Sequence, residues 1–117
     1  MSLGFSIETI DNTITVFHLE GQILEHVETI NLLHEVDNSL KANKVRIVCN
    51  LNELQYLNSV GLSLFIKVMT KIKNKGGKLA ITNVSPKIEK LLIITKLDAV
   101  FQMYSSVEEA VDSFKVK

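Results

Sequence analysis

Seven residues, Val45 to Leu51, form a short, mostly apolar run bounded by polar positions, and a run of that kind reads as a strand covered on both faces at the centre of a sheet. The segments beside it change period. On the N-terminal side Ile30, Leu33, Val36 (or the neighbouring Leu32) and Leu40 recur at helical spacing. On the C-terminal side Leu64, Phe65, Val68 and Ile72 share one face while Ser63, Lys67, Thr70 and Lys71 share another. Two amphipathic helices are predicted, over His26–Ala42 and Ser59–Asn74, with Gly76 and Gly77 stopping the second.

The same change of period repeats along the chain. Phe5 to Ile10 and Ile14 to Leu19 alternate like strands around Asp11-Asn12, a pair that tolerates tight-turn geometry, so a hairpin opens the fold. Lys78 to Val84 is another apolar strand. Ser85-Pro86 supplies a capping hydroxyl and a first-turn proline for a helix burying Ile88, Leu91 and Leu92. Val100 to Tyr104 gives a last strand, and Ser106 with Glu109 makes a capping box before Ala110, Val111 and Phe114. Strands alternating with helices in this order imply an α/β fold. The expected architecture is a four- to five-stranded, mostly parallel mixed sheet with about four helices and an antiparallel pair at the start.

The 117 residues suit one domain, taken as 1–117, with Met1, Ser2 and Leu3 given no weight. Thirteen Lys and Arg balance thirteen Asp and Glu, which argues against a partner held by long-range charge, such as nucleic acid or an anionic membrane. Charged and polar residues break every apolar run short of a membrane span, so a cytoplasmic protein without direct membrane insertion is expected. A lone cysteine, Cys49, sits in the central apolar run and excludes a disulfide or zinc framework. His26 and His34 lie about 12 Å apart along one predicted helix and cannot share a metal. No Walker-type loop or dinucleotide fingerprint is present. No residue pair supplies a nucleophile and a base, so no enzyme, metal or cofactor is expected.

The chemistry-bearing stretch is Leu57-Asn58-Ser59-Val60-Gly61-Leu62, between the central strand and the second helix. Asn58 or Ser59 can serve as an ordinary helix cap. Alternatively Ser59 is a phosphoacceptor, because a phosphate at a helix start is favoured by exposed N–H groups and the helix dipole.

Taken with Gly21, Asn50-Leu51, Gly76-Gly77-Lys78-Leu79, Asn83-Val84-Ser85-Pro86, Leu91-Leu92 and Leu97 followed by Val100-Phe101, this stretch resembles the STAS domain, the sulphate transporter and anti-sigma factor antagonist family. The resemblance covers nearly the whole chain. It implies a regulatory protein of the stand-alone anti-sigma factor antagonist type, binding an anti-sigma factor or serine kinase, with Ser59 in the phosphoacceptor place. It also implies a contact surface made of the turn at Gly21 and Gln22, the loop and helix start at Asn58, Ser59, Val60, Gly61 and Leu62, and the outward positions Ser63 and Lys67. Four positions depart from the family pattern by losing acidic or polar character: Asn58, Val60, Asn50 and the neighbourhood of Leu24. Those departures favour an alternative, a non-phosphorylated structural STAS subunit of a larger signalling or membrane-associated assembly. A small-molecule sensor is a third possibility.

Overall fold

The computed structural model describes residues 2–115. Met1 therefore lies outside it, whereas Leu3, given no weight in the sequence, opens the first strand. The strands are β1 (Leu3–Ile10), β2 (Ile14–Ile23), β3 (Arg46–Leu57), β4 (Lys78–Thr82) and β5 (Gln102–Tyr104). The helices are α1 (Ile30–Lys41), α2 (Ser59–Asn74), α3 (Pro86–Ile94) and α4 (Val107–Lys115), with a single 3₁₀ turn, His26–Thr29, ahead of α1. This is the predicted α/β architecture: one five-stranded mixed sheet in the order β1-β2-β3-β4-β5, antiparallel only between β1 and β2. Asp11 and Asn12 both take left-handed backbone, φ 53° and 59°, and Thr13 N–H closes on the Ile10 carbonyl. The two left-handed residues give the tight turn its twist inside a three-residue connection, Asp11 to Thr13, since Ile10 pairs with Ile14.

The strand order decides how the two faces are covered. Each crossover from β2 to β5 steps one strand in the same direction, and crossovers are right-handed, so α1, α2 and α3 fall on one face. There Leu32 and Val36 of α1, Leu64, Phe65, Val68 and Ile72 of α2, and Ile88 and Leu92 of α3 join Phe17, Leu19, Ile47 and Ile81 in the main core. Only α4 remains for the opposite face, where Ala110, Val111 and Phe114 cover Ile14, Val16, Val48 and Ala80. A nine-residue helix is about 13 Å long and five strands span about 19 Å. α4 packs on β3, β4 and β5, and the face is left partly open.

Several boundaries differ from the sequence expectation for identifiable reasons. β3 runs to Leu57 rather than Leu51. Two register shifts against β2, between His18 and Glu20 and between Gly21 and Gln22, each place an extra residue in β3. These bulges convert the buried spacing to Leu51, Leu54 and Leu57, which does not alternate as a regular strand does. Gly21 is not in a turn after β2 but inside the strand, at φ 87°, where a Cβ would stand 2.2 Å from the Ser2 carbonyl oxygen. Asn50 is likewise mid-strand. Ile30, expected on the buried face of the first helix, is exposed, because that face is set by Leu32, Val36 and Leu40. The last strand is shorter than Val100–Tyr104, and Val100 is exposed. Lys96, at φ 62°, follows the end of α3, and Leu97 N–H reaches back to the Leu92 carbonyl. That left-handed helix exit is the position glycine usually fills.

Candidate functional site

Where β3 hands over to α2, Asn58 makes three hydrogen bonds that hold two backbone segments together. Its side-chain Oδ1 accepts the Val60 N–H at 2.9 Å, so Asn58 and not Ser59 is the cap of α2. Its Nδ2 donates to the Leu24 carbonyl at 3.1 Å, and its own N–H donates to the Ile23 carbonyl. The end of β2 is thereby tied to the start of α2. An aspartate could keep the first of these bonds but has no proton for the second. The amide at position 58 is thus the chemically suited group for this corner.

Glu28, which the sequence did not single out, completes the arrangement from the other side. One carboxylate oxygen accepts the N–H groups of Leu24 and Glu25, each at 3.1 Å, and the other accepts Leu3 N–H at 3.2 Å. Chiefly through the Leu24 bond, these contacts hold its carboxyl below the ordinary glutamate value. Leu24 therefore needs no acidic side chain here: its backbone N–H goes to Glu28 and its carbonyl to Asn58. A glutamate three residues after Glu25, at the entrance to a helical period, was the available sequence signal.

The residues singled out in the sequence separate into two groups. Gly21 and Gly61 are buried, and Gln22, Asn58, Val60 and Leu62 are half-buried. At Gly61 a Cβ would meet Leu57 Cβ at 2.6 Å and Ile23 Cβ at 3.3 Å. The glycine lets the first turn of α2 sit directly on the ends of β2 and β3. Ser59, Ser63 and Lys67 are exposed, and their spacing of four aligns them along one stripe of α2. Ile66, 39% exposed, borders that stripe, and the adjoining 3₁₀ turn and α1 start expose Val27 at 66% and Ile30 at 60%. The corner thus presents a serine at a helix start, one lysine and a set of exposed apolar side chains.

The remaining chemistry is muted. Burial pushes the Cys49 thiol up to about 12, leaving it protonated and unreactive at neutral pH. Lys71 pairs with Asp37 of α1 at 3.1 Å. No group of three His, Cys, Asp or Glu side chains among the described residues is placed to hold a metal. No described helix is long and apolar enough to cross a membrane.

Comparison with known proteins matches residues 5–110 to the STAS domain model. An anti-sigma F factor antagonist of Paenibacillus polymyxa is 24% identical over 104 residues, 88% of this chain and 88% of that protein. A Thermotoga maritima protein provisionally described as an anti-sigma factor antagonist is 27% identical over 75 residues, 64% of this chain and 65% of that one, so the match spans just under two thirds of its length. Among solved structures, the phosphorylated form of the Bacillus cell fate determinant SpoIIAA shares the fold, with a TM-score of 0.74 at 20% identity over 95% of this chain and 99% of that one.

Proposed function

The chain belongs to the STAS domain family, and from that premise we propose that residues 1–117 form one STAS unit acting as an anti-sigma factor antagonist-like regulator. It binds an anti-sigma factor or serine kinase in the cytoplasm through the α2 corner, and phosphorylation of Ser59 ends the interaction. The observation that carries this is the division of labour between two adjacent side chains: Asn58 caps α2, which leaves the exposed Ser59 at the first helical position without the capping task. A phosphate there is favoured by the helix dipole and would place nearly two negative charges on the stripe shared with Ser63 and Lys67. Exposed Val27, Ile30 and Ile66 give the same corner apolar area to bury against a partner. The Bacillus relative SpoIIAA has been solved in a phosphorylated form, which supports the same type of regulation here.

One observation favours the alternative of a constitutive structural STAS subunit: the first turn of α2 carries no acidic residue, so a kinase that reads an acidic neighbourhood would find none in that turn. The two are separated by capture from the native cell extract on immobilised wild-type, Ser59→Ala, Ser59→Asp and Ile66→Arg chains, with bound proteins identified by mass spectrometry. The switch requires an anti-sigma factor or serine kinase retained by wild type and Ser59→Ala and lost by the other two. Equal retention by Ser59→Asp would point to the constitutive subunit.

A further inference from the structure

The sheet ends on two unlike edges. β5 is three residues long and bounded by bends, so it offers little backbone to a further strand. β1 runs for eight residues, pairs with β2 without a register shift, and takes its packing almost wholly from that strand. Exposed edges are usually blunted by a short strand, a lysine, a proline, a bulge or a cover. The β1 sequence, Leu-Gly-Phe-Ser-Ile-Glu-Thr-Ile, holds no lysine or proline. Its one charged side chain, Glu8, is held by His18 of β2 at 2.8 Å.

Two contacts fix which backbone groups of β1 face outward. At one end the Ile10 carbonyl turns inward and accepts Thr13 N–H; at the other, Leu3 N–H is free of β2 and donates to Glu28 at 3.2 Å. Residues of an antiparallel pair alternate between bonding the neighbour and facing away from it. Gly4, Ser6, Glu8 and Ile10 therefore bond β2, while the N–H and C=O groups of Phe5, Ile7 and Thr9 point out of the sheet. Glu28 closes the edge at Leu3, which leaves these three residues as the open stretch, with Ile7 at its centre.

That stretch is complementary to itself. When two copies run antiparallel about Ile7, Phe5 faces Thr9 of the second copy and Ile7 faces its own counterpart, and each opposed pair exchanges two backbone hydrogen bonds. Ile7 stands opposite Phe17 of β2, on the face of the main core, yet is 45% exposed. A second Ile7 beside it would cover that apolar surface, and β-branched and aromatic cross-strand neighbours stabilise a sheet. On the other face Glu8 stands opposite Ser6 of the second copy, and each Glu8 stays with its own His18, so no like charges are directly opposed.

From the open edge, its outward groups and this symmetry, we infer that two copies of the chain join β1 to β1 about a two-fold axis at Ile7, merging two five-stranded sheets into one. The contact uses the one long edge of each copy, so it closes at the dimer. An interface of this extent belongs to the small class, under about 1,200 Å² in total, whose association is weak and reversible. Phe5–Thr9 includes none of the residues of the α2 corner, so the dimer does not depend on the reading of Ser59.

The test is sedimentation velocity on the full chain from micromolar to millimolar concentration, with amide hydrogen exchange followed by NMR over the same range. A reversible monomer–dimer equilibrium is expected. Exchange at Phe5, Ile7 and Thr9 should slow as concentration rises, while Ser6 and Glu8, already bonded to β2, are protected throughout. Ile7→Lys and Ile7→Glu, changes at an exposed position, should each weaken self-association roughly tenfold or more by opposing like charges, and an equimolar mixture of the two should regain the dimer. Unchanged spectra for Phe17 and Val48 verify that both variants are folded. A chain that stays monomeric throughout, leaving the edge to solvent or to another protein's strand, overturns the inference. So does a dimer whose protection appears at Val27, Ile30 or Ile66 instead, that persists unchanged in both variants, or that the mixture fails to restore.

Discussion

On one face of the sheet three helices close over the main core, and the corner where α2 begins has its central hydrogen bonds satisfied internally by Asn58 and Glu28. On the other face one nine-residue helix packs on β3, β4 and β5 and leaves an open cleft whose lining includes Glu8, Glu108 and Asp112. The contrast follows from topology, since successive right-handed crossovers stepping one way along a sheet must stack their helices on one side. It separates two kinds of polar residue. At the α2 corner polar side chains hold backbone in place and leave Ser59 accessible; in the cleft they are a surplus that the fold itself does not need.

Substitutions should therefore cost stability at the corner and little in the cleft. The largest effect is expected for Gly61→Ala. Alanine improves helix propensity by about 1 kcal/mol, but its Cβ would sit 2.6 Å from Leu57 Cβ, and forcing extra volume into a packed interior costs about 1–3 kcal/mol. Urea denaturation should show a net loss; a net gain would mean that α2 can shift off the strand ends. Next is Asn58→Asp, with an expected loss of about 1 kcal/mol. The carboxylate keeps the Val60 bond and gains about 0.3–1 kcal/mol from the helix dipole, yet leaves the Leu24 carbonyl without its donor, worth about 1–3 kcal/mol. The penalty should shrink in acid, where the protonated group can donate to the Leu24 carbonyl as the amide does.

Thr82→Val tests the other side of the comparison. Removing an unpaired buried hydroxyl while keeping its shape should leave the free protein as stable as before or gain up to about 1 kcal/mol. A clear loss in thermal unfolding would show that the hydroxyl is already satisfied. Glu28 has its carboxyl lowered from 4.5 mainly by the Leu24 N–H, so its contribution is present above that value and lost as pH falls through the depressed folded value. The wild-type urea midpoint should fall in that acid window, and Glu28→Gln should lower the midpoint at neutral pH and flatten the acid limb. The smallest change, within about 0.5 kcal/mol, is expected for Glu108→Gln with Asp112→Asn, two exposed side chains of α4.

Much of the fold could be read from the chain because periodicity and end signals agreed. Leu64, Phe65, Val68 and Ile72 gave the buried face of α2. Ser85-Pro86 gave the start of α3, where Ser85 Oγ accepts Ile88 N–H. Ser106 and Glu109 gave the start of α4: Ser106 Oγ accepts Glu109 N–H, while the Glu109 carboxylate reaches one residue further back, to Ser105. The second half of β3 stayed hidden because its bulges replace alternation by leucines three apart. Glu28 was only half legible: its place three residues after Glu25 marks the local bonds to Leu24 and Glu25, whereas the bond to Leu3 N–H of β1 is long-range and no local spacing encodes it. The hydrogen-bonded line across β1, β2 and β3 was equally out of reach, since Glu8, His18 and Asn50 meet only through strand register. At the corner, the motif drew attention to Ser59 and its neighbours, but only the geometry separates Asn58 as the cap from Ser59 as an exposed residue.

The central claim is that Ser59 is a regulated surface residue and not a structural one. Phosphopeptide mass spectrometry on the protein isolated from its native cells under several growth conditions tests it most directly. Phosphate on Ser59 whose occupancy changes with condition is the predicted result; a well-recovered peptide that is unmodified under every condition, stress included, would contradict it and leave the α2 corner as a constitutive docking surface.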